Sequence, residues 1–554
     1  MKHLILSLIS ALLLSIAWPT YGVVFFLFFA LVPLLLAEHE ISLSRTIKNK
    51  ASRIFALSYL TFLIWNITTT GWLYGSKNPD GSNALLAVAL PVTVNALFYS
   101  VVFILYHYYK KWQGTYWGLV FFVALWMAFE KLHLEWELTW PWLNLGNAFS
   151  ENPELVQWYE YVGATGGSLW ILLTNVFGFY SVRVWETTRK RKALKTNLAL
   201  LLALMVVPMG LSLYRYHTYT PEPKAEVSVV LLQPDLDPYN EKYQKDSLEI
   251  LSELLLLAHG SSATKVDYYI GPETSVPGQG SISVKGLEKS VLLSEIRTFL
   301  SDKPGAVFTT GISSHRFYGP GEQKGENAYQ TSYGDWVESY NSAAQIAPGE
   351  PTQIYHKGKL VPGVEIFPYM DYLKPLLGDA MLNFGGTVAS LGKDPERRVF
   401  SNPYNPGRLA PLICYESVYG EFTAEYVQNG ANFLAIMTND SWWGVSEGHR
   451  QLLSYARLRA IETRREIARS ANSGISAHIN SRGDIVSDTF YGDQTTLSAQ
   501  VTLLEEITFY TRTGDLLSRI SLFVLGFLIF YTLISKIQNR KKSVSLPRKN
   551  GPTV

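Results

Sequence analysis

The stretch Ala410-Pro411-Leu412-Ile413-Cys414-Tyr415-Glu416 carries the chain's one cysteine at the end of a short apolar run. Such a run, closed by a polar residue, reads as a covered strand. A single thiol makes neither an internal disulfide nor a cysteine zinc site. Free cysteine is among the most buried residue types. By itself Cys414 is therefore either a small hydrophobe or, beside a base and a cation, a thiolate nucleophile.

Outward from this run the same texture continues. From about residue 225, aliphatic and β-branched runs alternate with polar helical stretches, as expected of an α/β unit. The runs at 227–232, 268–270, 306–311, 342–347, 410–414, 433–437 and 476–480 read as strands, and 246–259 and 452–468 as helices. This pattern predicts an α/β domain of about 290 residues with a covered central sheet. No repeat of 20–50 residues is visible.

The rest of the chain is different. Of 554 residues, 47% are hydrophobic and only 17% charged, against about 25% charged in a typical soluble protein. The mean hydropathy of +0.07 excludes a disordered chain and indicates a membrane part joined to a polar one. Lys plus Arg number 48 and Asp plus Glu 46, a balance that gives no reason to expect nucleic acid as partner. Apolar runs long enough to span a bilayer as helices lie at about 3–18, 21–37, 54–74, 84–107, 116–134, 165–182, 196–214 and 519–535. No small-residue cleavage site follows the first run, so it is read as a helix.

Eight alternating spans place every basic cluster on one face of the membrane. These clusters are Arg45, Lys48, Lys50 and Arg53; Lys110 and Lys111; Arg189 to Lys195; and Lys536, Arg540, Lys541 and Lys542. By the positive-inside rule both termini are then cytoplasmic and the polar domain lies on the opposite face. The expected organisation is a seven-helix membrane domain at 1–215, the α/β domain at 216–515, an eighth span at 516–536 and a basic tail at 537–554. Trp112, Trp117, Trp136, Trp140 and Trp142 suit an interfacial aromatic belt.

Three motifs fall at strand ends: Gly271-Pro272-Glu273-Thr274-Ser275-Val276-Pro277, Tyr355-His356-Lys357-Gly358-Lys359-Leu360-Val361-Pro362, and the Cys414 run. Glu273 can take the thiol proton, and Lys357 can hold the thiolate and then an oxyanion, together with a backbone N–H after Cys414. Taken singly, a Glu after Pro is also an ordinary cap and a loop Lys an ordinary solvated charge.

In this order the three motifs resemble those of the nitrilase superfamily, whose Glu-Lys-Cys triad sits on an α-β-β-α sandwich and works through an acyl-thioester. Eight spans with such a domain before the last one resemble the apolipoprotein N-acyltransferase family. Thr438-Asn439-Asp440-Ser441-Trp442-Trp443-Gly444, Ala456 to Glu462, Ser470 to Gly474 and Thr513-Gly514-Asp515 agree with it. The resemblance makes Glu273 the general base, Lys357 the oxyanion-side lysine and Cys414 the nucleophile, with Glu365, Tyr415 and Glu416 in support. Two departures stand out. Gly363-Val364 replaces the usual Phe-Gly before Glu365, and Pro234 follows Gln233 where Asn or Gly-Asn is common; Tyr243 stands near a position often held by Trp.

The resemblance implies a ping-pong transfer. Cys414 attacks the sn-1 ester of a phospholipid donor, and the α-amine of a diacylglyceryl-cysteine at the lipoprotein N-terminus then attacks the thioester. It also implies a bacterial inner membrane with the catalytic domain on the periplasmic side. The apolar segment holding Phe367, Tyr369, Leu376, Leu377 and Phe384 is expected to contact acyl chains as a lid, or else to pack as a core helix. Arg457, Arg459, Arg464, Arg465 and Arg469 are read as one helix face, either solvated or meeting head groups. No metal and no nucleotide cofactor is expected, since there is no metal-ligand spacing, P-loop or dinucleotide fingerprint. The other readings are a membrane-tethered amidase of small amides and an inactive lipoprotein-binding scaffold.

Overall fold

The computed structural model describes residues 1–77, 82–242, 244–276, 281–369, 372 and 390–545. Among these, six helices are long and apolar enough to cross a membrane: Val24–Leu43, Lys50–Gly75, Val88–Glu135, Tyr159–Thr188, Arg191–Thr218 and Leu516–Gln538. Lys2–Ile16 is a shorter apolar helix. Val88–Glu135 reverses at Gly114, whose φ of 85° leaves the helical region. Its two arms run antiparallel, since Tyr109 stacks on Phe121 with ring centroids 4.0 Å apart and Tyr99 meets Trp126 at 4.9 Å. The runs at 84–107 and 116–134 occupy these arms.

The expected helix over 21–37 is interrupted. A 3₁₀ turn, Val24–Phe28, precedes the α-helix Val32–Leu43, which starts with a proline in its first turn. Pro33 suits a helix start because the missing N–H has no partner there. The Asn175 side chain closes the break: its oxygen accepts from Leu31 N at 2.7 Å and its amide donates to Leu27 O at 2.7 Å.

The polar region contains two facing sheets. One has eight strands among the described residues, with the path Thr495–Leu504, Pro223–Gln233, Tyr268–Ile270, Val307–Tyr318, Trp336–Ile346 and Tyr329–Gln330. Gln353–His356 pairs antiparallel with Trp336–Ile346. The other has six: Ile485–Asp488, Ala477–Ile479, Ile467–Ala471, Phe433–Thr438, Arg408–Ile413 and Phe400–Ser401.

Side-chain alternation on Pro223–Gln233 sorts the layers. Val227, Val229 and Leu231 pack into the core shared with Leu409, Leu412 and Phe433, while Val230 and Leu232 pack with Leu251, Leu254 and Ile296 of the helices outside. Each such buried aliphatic contributes about 1.5–3 kcal/mol. From Val227 to Leu232 the strand is buried on both faces, which is why its sequence there is apolar apart from Ser228.

The second sheet is covered by Glu447–Thr463 and Gly420–Gln428, and this layer in turn meets the apolar helices. The expected helix over 452–468 therefore shifts. It ends at Thr463 because Arg464 turns left-handed (φ 50°), and Ile467–Ala471 is a strand. Arg459, Arg464, Arg465 and Arg469 are buried, so neither reading of a basic helix face holds. Arg464 Nε instead donates to Glu160 Oε2 at 2.7 Å, and Arg457 reaches Glu151 at 2.9 Å.

Gln451 is a second fastening. Its oxygen accepts from the indoles of Trp72 (3.0 Å) and Trp142 (2.7 Å), and its amide donates to Pro19 O (2.9 Å) and Thr69 O (3.2 Å). Gln451→Leu leaves these buried groups unpaired and is expected to destabilise the full chain by about 2–4 kcal/mol, read as a lower midpoint of thermal unfolding in detergent. A midpoint equal to wild type would show that Gln451 does not fasten the two regions.

Candidate active site

Tyr268–Ile270 and Val307–Tyr318 run parallel, and Gln353–His356 shares their direction through two antiparallel pairings. Arg408–Ile413 and Phe433–Thr438 are likewise parallel. Glu273, Lys357, Cys414 and Asn439 thus follow the carboxyl ends of their strands, where ligands bind in α/β sheets.

Glu273 lies in a tight turn pressed against the next strand. A Cβ on Gly311 would come within 2.3 Å of Thr274 N and 2.6 Å of Pro272 O, so only glycine permits this approach. Thr274 takes φ 42°. Lys357 is held by its own N–H to Asn341 O at 2.8 Å. Its Nζ donates to Glu273 Oε1 and to Glu365 Oε1, both at 2.9 Å. Asn341 Nδ2 donates to the same two oxygens at 2.7 and 3.0 Å. The other Glu273 oxygen accepts from Asn439 N at 3.2 Å, so the second sheet helps to hold it.

Glu365 reaches this ring despite the altered residues before it. Gly363 adopts φ 80°, its N–H meets Ile366 O at 2.8 Å, and Val361 N donates to Glu365 Oε2 at 2.8 Å. The departure thus supplies a glycine where a left-handed turn requires one.

Cys414 opens a 3₁₀ turn with φ 49°, a strained value for a non-glycine residue. Glu416 braces it. One Glu416 oxygen accepts from Ile413 N at 2.7 Å, and the other from Tyr355 Oη and Gly358 N, both at 2.6 Å. A single carboxylate therefore ties the Cys414 strand to the Lys357 loop. Tyr415 Oη donates to Thr139 O at 3.1 Å, joining the cysteine turn to the helical region.

Burial raises the Glu273 carboxyl, but Lys357, aided by Lys242 and Asn341, outweighs it and holds the carboxyl below its ordinary value. Burial lowers the Lys357 ammonium, yet the Glu273 and Glu365 charges keep it well above the usual lysine value. Burial and the Glu273 charge push the Cys414 thiol up, against Lys357 and a hydrogen bond from Thr438. Burial also raises Glu416. The resting group is then a thiol beside a carboxylate base and an ammonium, which is what proton removal and oxyanion stabilisation require. Among the described residues no cluster of His, Cys, Asp or Glu is placed to hold a metal ion.

Of the other expected site residues, Phe367 and Tyr369 are half-buried. Tyr369 N donates to Glu137 Oε2 at 2.5 Å. Leu376, Leu377, Phe384 and Tyr243 lie outside the described residues. Sequence reasoning missed Asn341, Lys242 and the Asp440–Arg469 pair, which is fully buried at 2.8 Å. Asn341 sits inside a strand, so no motif marks it. Asp440 lies in the Thr438-to-Gly444 motif, but its partner Arg469 reads in sequence as part of a helix face.

Residues 227–508 match the carbon-nitrogen hydrolase family model, and residues 10–177 match the apolipoprotein N-acyltransferase N-terminal domain. The chain is 29% identical over 548 residues to an apolipoprotein N-acyltransferase of Chlorobaculum tepidum, covering 97% of each chain. It is 26% identical over 537 residues to one of Geobacter metallireducens, covering 93% of this chain and 92% of that one. Among solved structures it is distantly similar to Saccharomyces cerevisiae Nit3, a nitrilase-superfamily member, at 13% identity and a TM-score of 0.36, over 50% of this chain and 91% of that one. The chain belongs to the carbon-nitrogen hydrolase family and, within it, to the apolipoprotein N-acyltransferases.

Lys357→Met would take from the buried Glu273 carboxylate its nearest cation and is expected to destabilise the fold by about 3–5 kcal/mol near pH 7. Without Lys357 burial raises the Glu273 carboxyl above its unfolded value, so protonation favours the folded variant. The stability gap to wild type should therefore narrow as pH falls from 7 to 5. Denaturant titrations at both pH values check this; a constant gap would show that Lys357 does not set the charge of Glu273.

Proposed function

We propose that this chain is a membrane-anchored acyltransferase that moves a phospholipid sn-1 acyl chain through a Cys414 thioester. The acceptor is the α-amine of the diacylglyceryl-cysteine at a lipoprotein N-terminus, and the product is a triacylated lipoprotein. The observation that carries this reading is the buried group of Glu273 and Lys357 beside Cys414, on a domain fastened to apolar helices.

Glu273 takes the thiol proton as Sγ attacks the ester carbonyl, and Lys357 with a backbone N–H after Cys414 bears the oxyanion. Glu273 returns the proton to the leaving lysophospholipid oxygen. It then takes a proton from the acceptor amine as that nitrogen attacks the thioester, and Cys414 leaves as a thiol. Glu365, Tyr415 and Glu416 hold these groups in place. Phe367, Tyr369 and the apolar residues Leu376, Leu377 and Phe384 are the proposed acyl-chain contacts.

Anchoring suits the substrates. Drawing an acyl chain out of a bilayer costs about 0.8 kcal/mol per CH₂, and a thiol at the membrane surface avoids most of this. The proposed topology has eight crossings. The long helices supply them if Val88–Glu135 counts as two arms and Lys2–Ile16 is included. The basic clusters then face the cytoplasm with both termini, and the catalytic domain faces the periplasm of a bacterial inner membrane.

Incubating the purified chain with phospholipid labelled at sn-1 should give a hydroxylamine-sensitive adduct on Cys414, discharged by a diacylated lipopeptide and absent in Cys414→Ala. No adduct rejects the transfer; an adduct that only water discharges makes the chain a hydrolase. Replacing Leu376 and Leu377 together by Ser should slow adduct formation without lowering the thermal midpoint, and an unchanged rate would remove the acyl-chain contact.

A further inference from the structure

A second lysine lies in the site and has no part in the chemistry above. Lys242 is 1% exposed, and its Nζ donates to the backbone carbonyl of Glu273 at 3.0 Å. That carbonyl opens the peptide leading into the left-handed Thr274.

The turn that delivers Lys242 is firmly built. Asp237 O accepts from Glu241 N at 3.1 Å and from Lys242 N at 2.9 Å. The Asp237 carboxylate accepts from Tyr239 N at 2.7 Å and Asn240 N at 3.1 Å. Tyr239 Oη donates to Trp442 O at 3.0 Å and accepts from Lys77 N at 3.0 Å, so the turn is clamped between the helical region and the second sheet. A side chain presented so rigidly to a buried site is not a solvated lysine folded inward.

Charge gives the position its meaning. Glu273 and Glu365 bring two negative charges, and Lys357 answers only one of them. The Asp440–Arg469 pair is neutral by itself. The charged or titratable groups facing Lys242 are Glu273 and Cys414. Those facing Cys414 are Glu273, Lys357, Asp440 and Lys242 itself. A buried ammonium at Lys242 therefore makes the site neutral overall while Glu273 is ionised and Cys414 is a thiol. Neutrality persists when the proton passes from Cys414 to Glu273.

We propose that Lys242 is a positioning residue of this site, whose buried ammonium keeps Glu273 ionised and secures the turn that aims it. Removing the charge leaves a net negative site, which raises the Glu273 carboxyl and makes the thiolate harder to form. Burial itself lowers the Lys242 ammonium to about 8, partly offset by Glu273 and Cys414. The support is thus strongest at neutral pH and below.

The proposal rests on Cys414 being the site's thiol but not on lipid transfer, so the test uses a small electrophile. The full chain in detergent is alkylated with iodoacetamide from pH 6 to 10, and the rate at Cys414 is followed by mass spectrometry. In Lys242→Met the rate should fall roughly tenfold below about pH 8, where Lys242 is an ammonium, and the loss should fade toward pH 10, where the wild-type charge is itself gone. Lys242→Gln keeps an N–H donor for the Glu273 carbonyl without the charge, and should show the same pH-dependent loss. A purely structural role would lower the rate by one factor at every pH, which overturns the proposal. So does a wild-type profile in Lys242→Gln, because the hydrogen bond alone would then suffice. If Lys242→Met fails to fold, the Lys242→Gln profile decides alone.

Discussion

Burying a charge is the dominant constraint on this molecule. An ammonium or carboxylate taken out of water costs several kcal/mol unless it is paired and hydrogen-bonded, and the site holds Glu273 and Glu365 each within hydrogen-bonding distance of Lys357. No one segment can supply all the partners. Glu273 comes from one sheet, Asn439 N from the other, and Glu365 from a turn that Gly363 makes possible. The two sheets must therefore meet with their strand ends aligned. The left-handed Thr274 and Cys414 are local strains that this alignment imposes.

The same logic extends outward. Glu416 spends its two oxygens on backbone N–H groups and a tyrosine rather than on substrate, which locks the spacing between the Cys414 turn and the Lys357 loop. Tyr415 and Lys359 then reach carbonyls of the helical region, Thr139 O at 3.1 Å and Leu134 O at 2.8 Å. With Gln451 and Arg464 they make the apolar helices part of the frame around the thiol rather than a passive tether. Under the acyl-transfer reading proposed above, this arrangement keeps Cys414 in a fixed relation to the apolar helices.

Much of this was legible in the chain. Strand runs such as 268–270 and 433–437 are apolar because both faces are covered, and that signal survives in sequence. The three motifs were legible because each ends a strand. Other features were not. The end of the helix at Thr463 depends on Arg464 turning left-handed around partners over 300 residues away in the chain. Arg464 and Arg469 beyond it read in sequence as part of a solvated face, yet they are buried against Glu160, Gln157 and Asp440. Local pattern cannot distinguish a charge that meets water from one that meets a distant carboxylate.

By itself the sequence determined the kinds of element, the order of the three motifs and the split between apolar helices and an α/β unit, because periodicity and run length are local properties of the chain. The tertiary structure alone decided which charges are neighbours. Asn341 joins the ring, Lys242 enters beneath Glu273, and Glu416 braces rather than reacts. These depend on distances between residues remote in sequence, set for Asn341 by strand order within one sheet and for Glu416 by the packing of one sheet on the other.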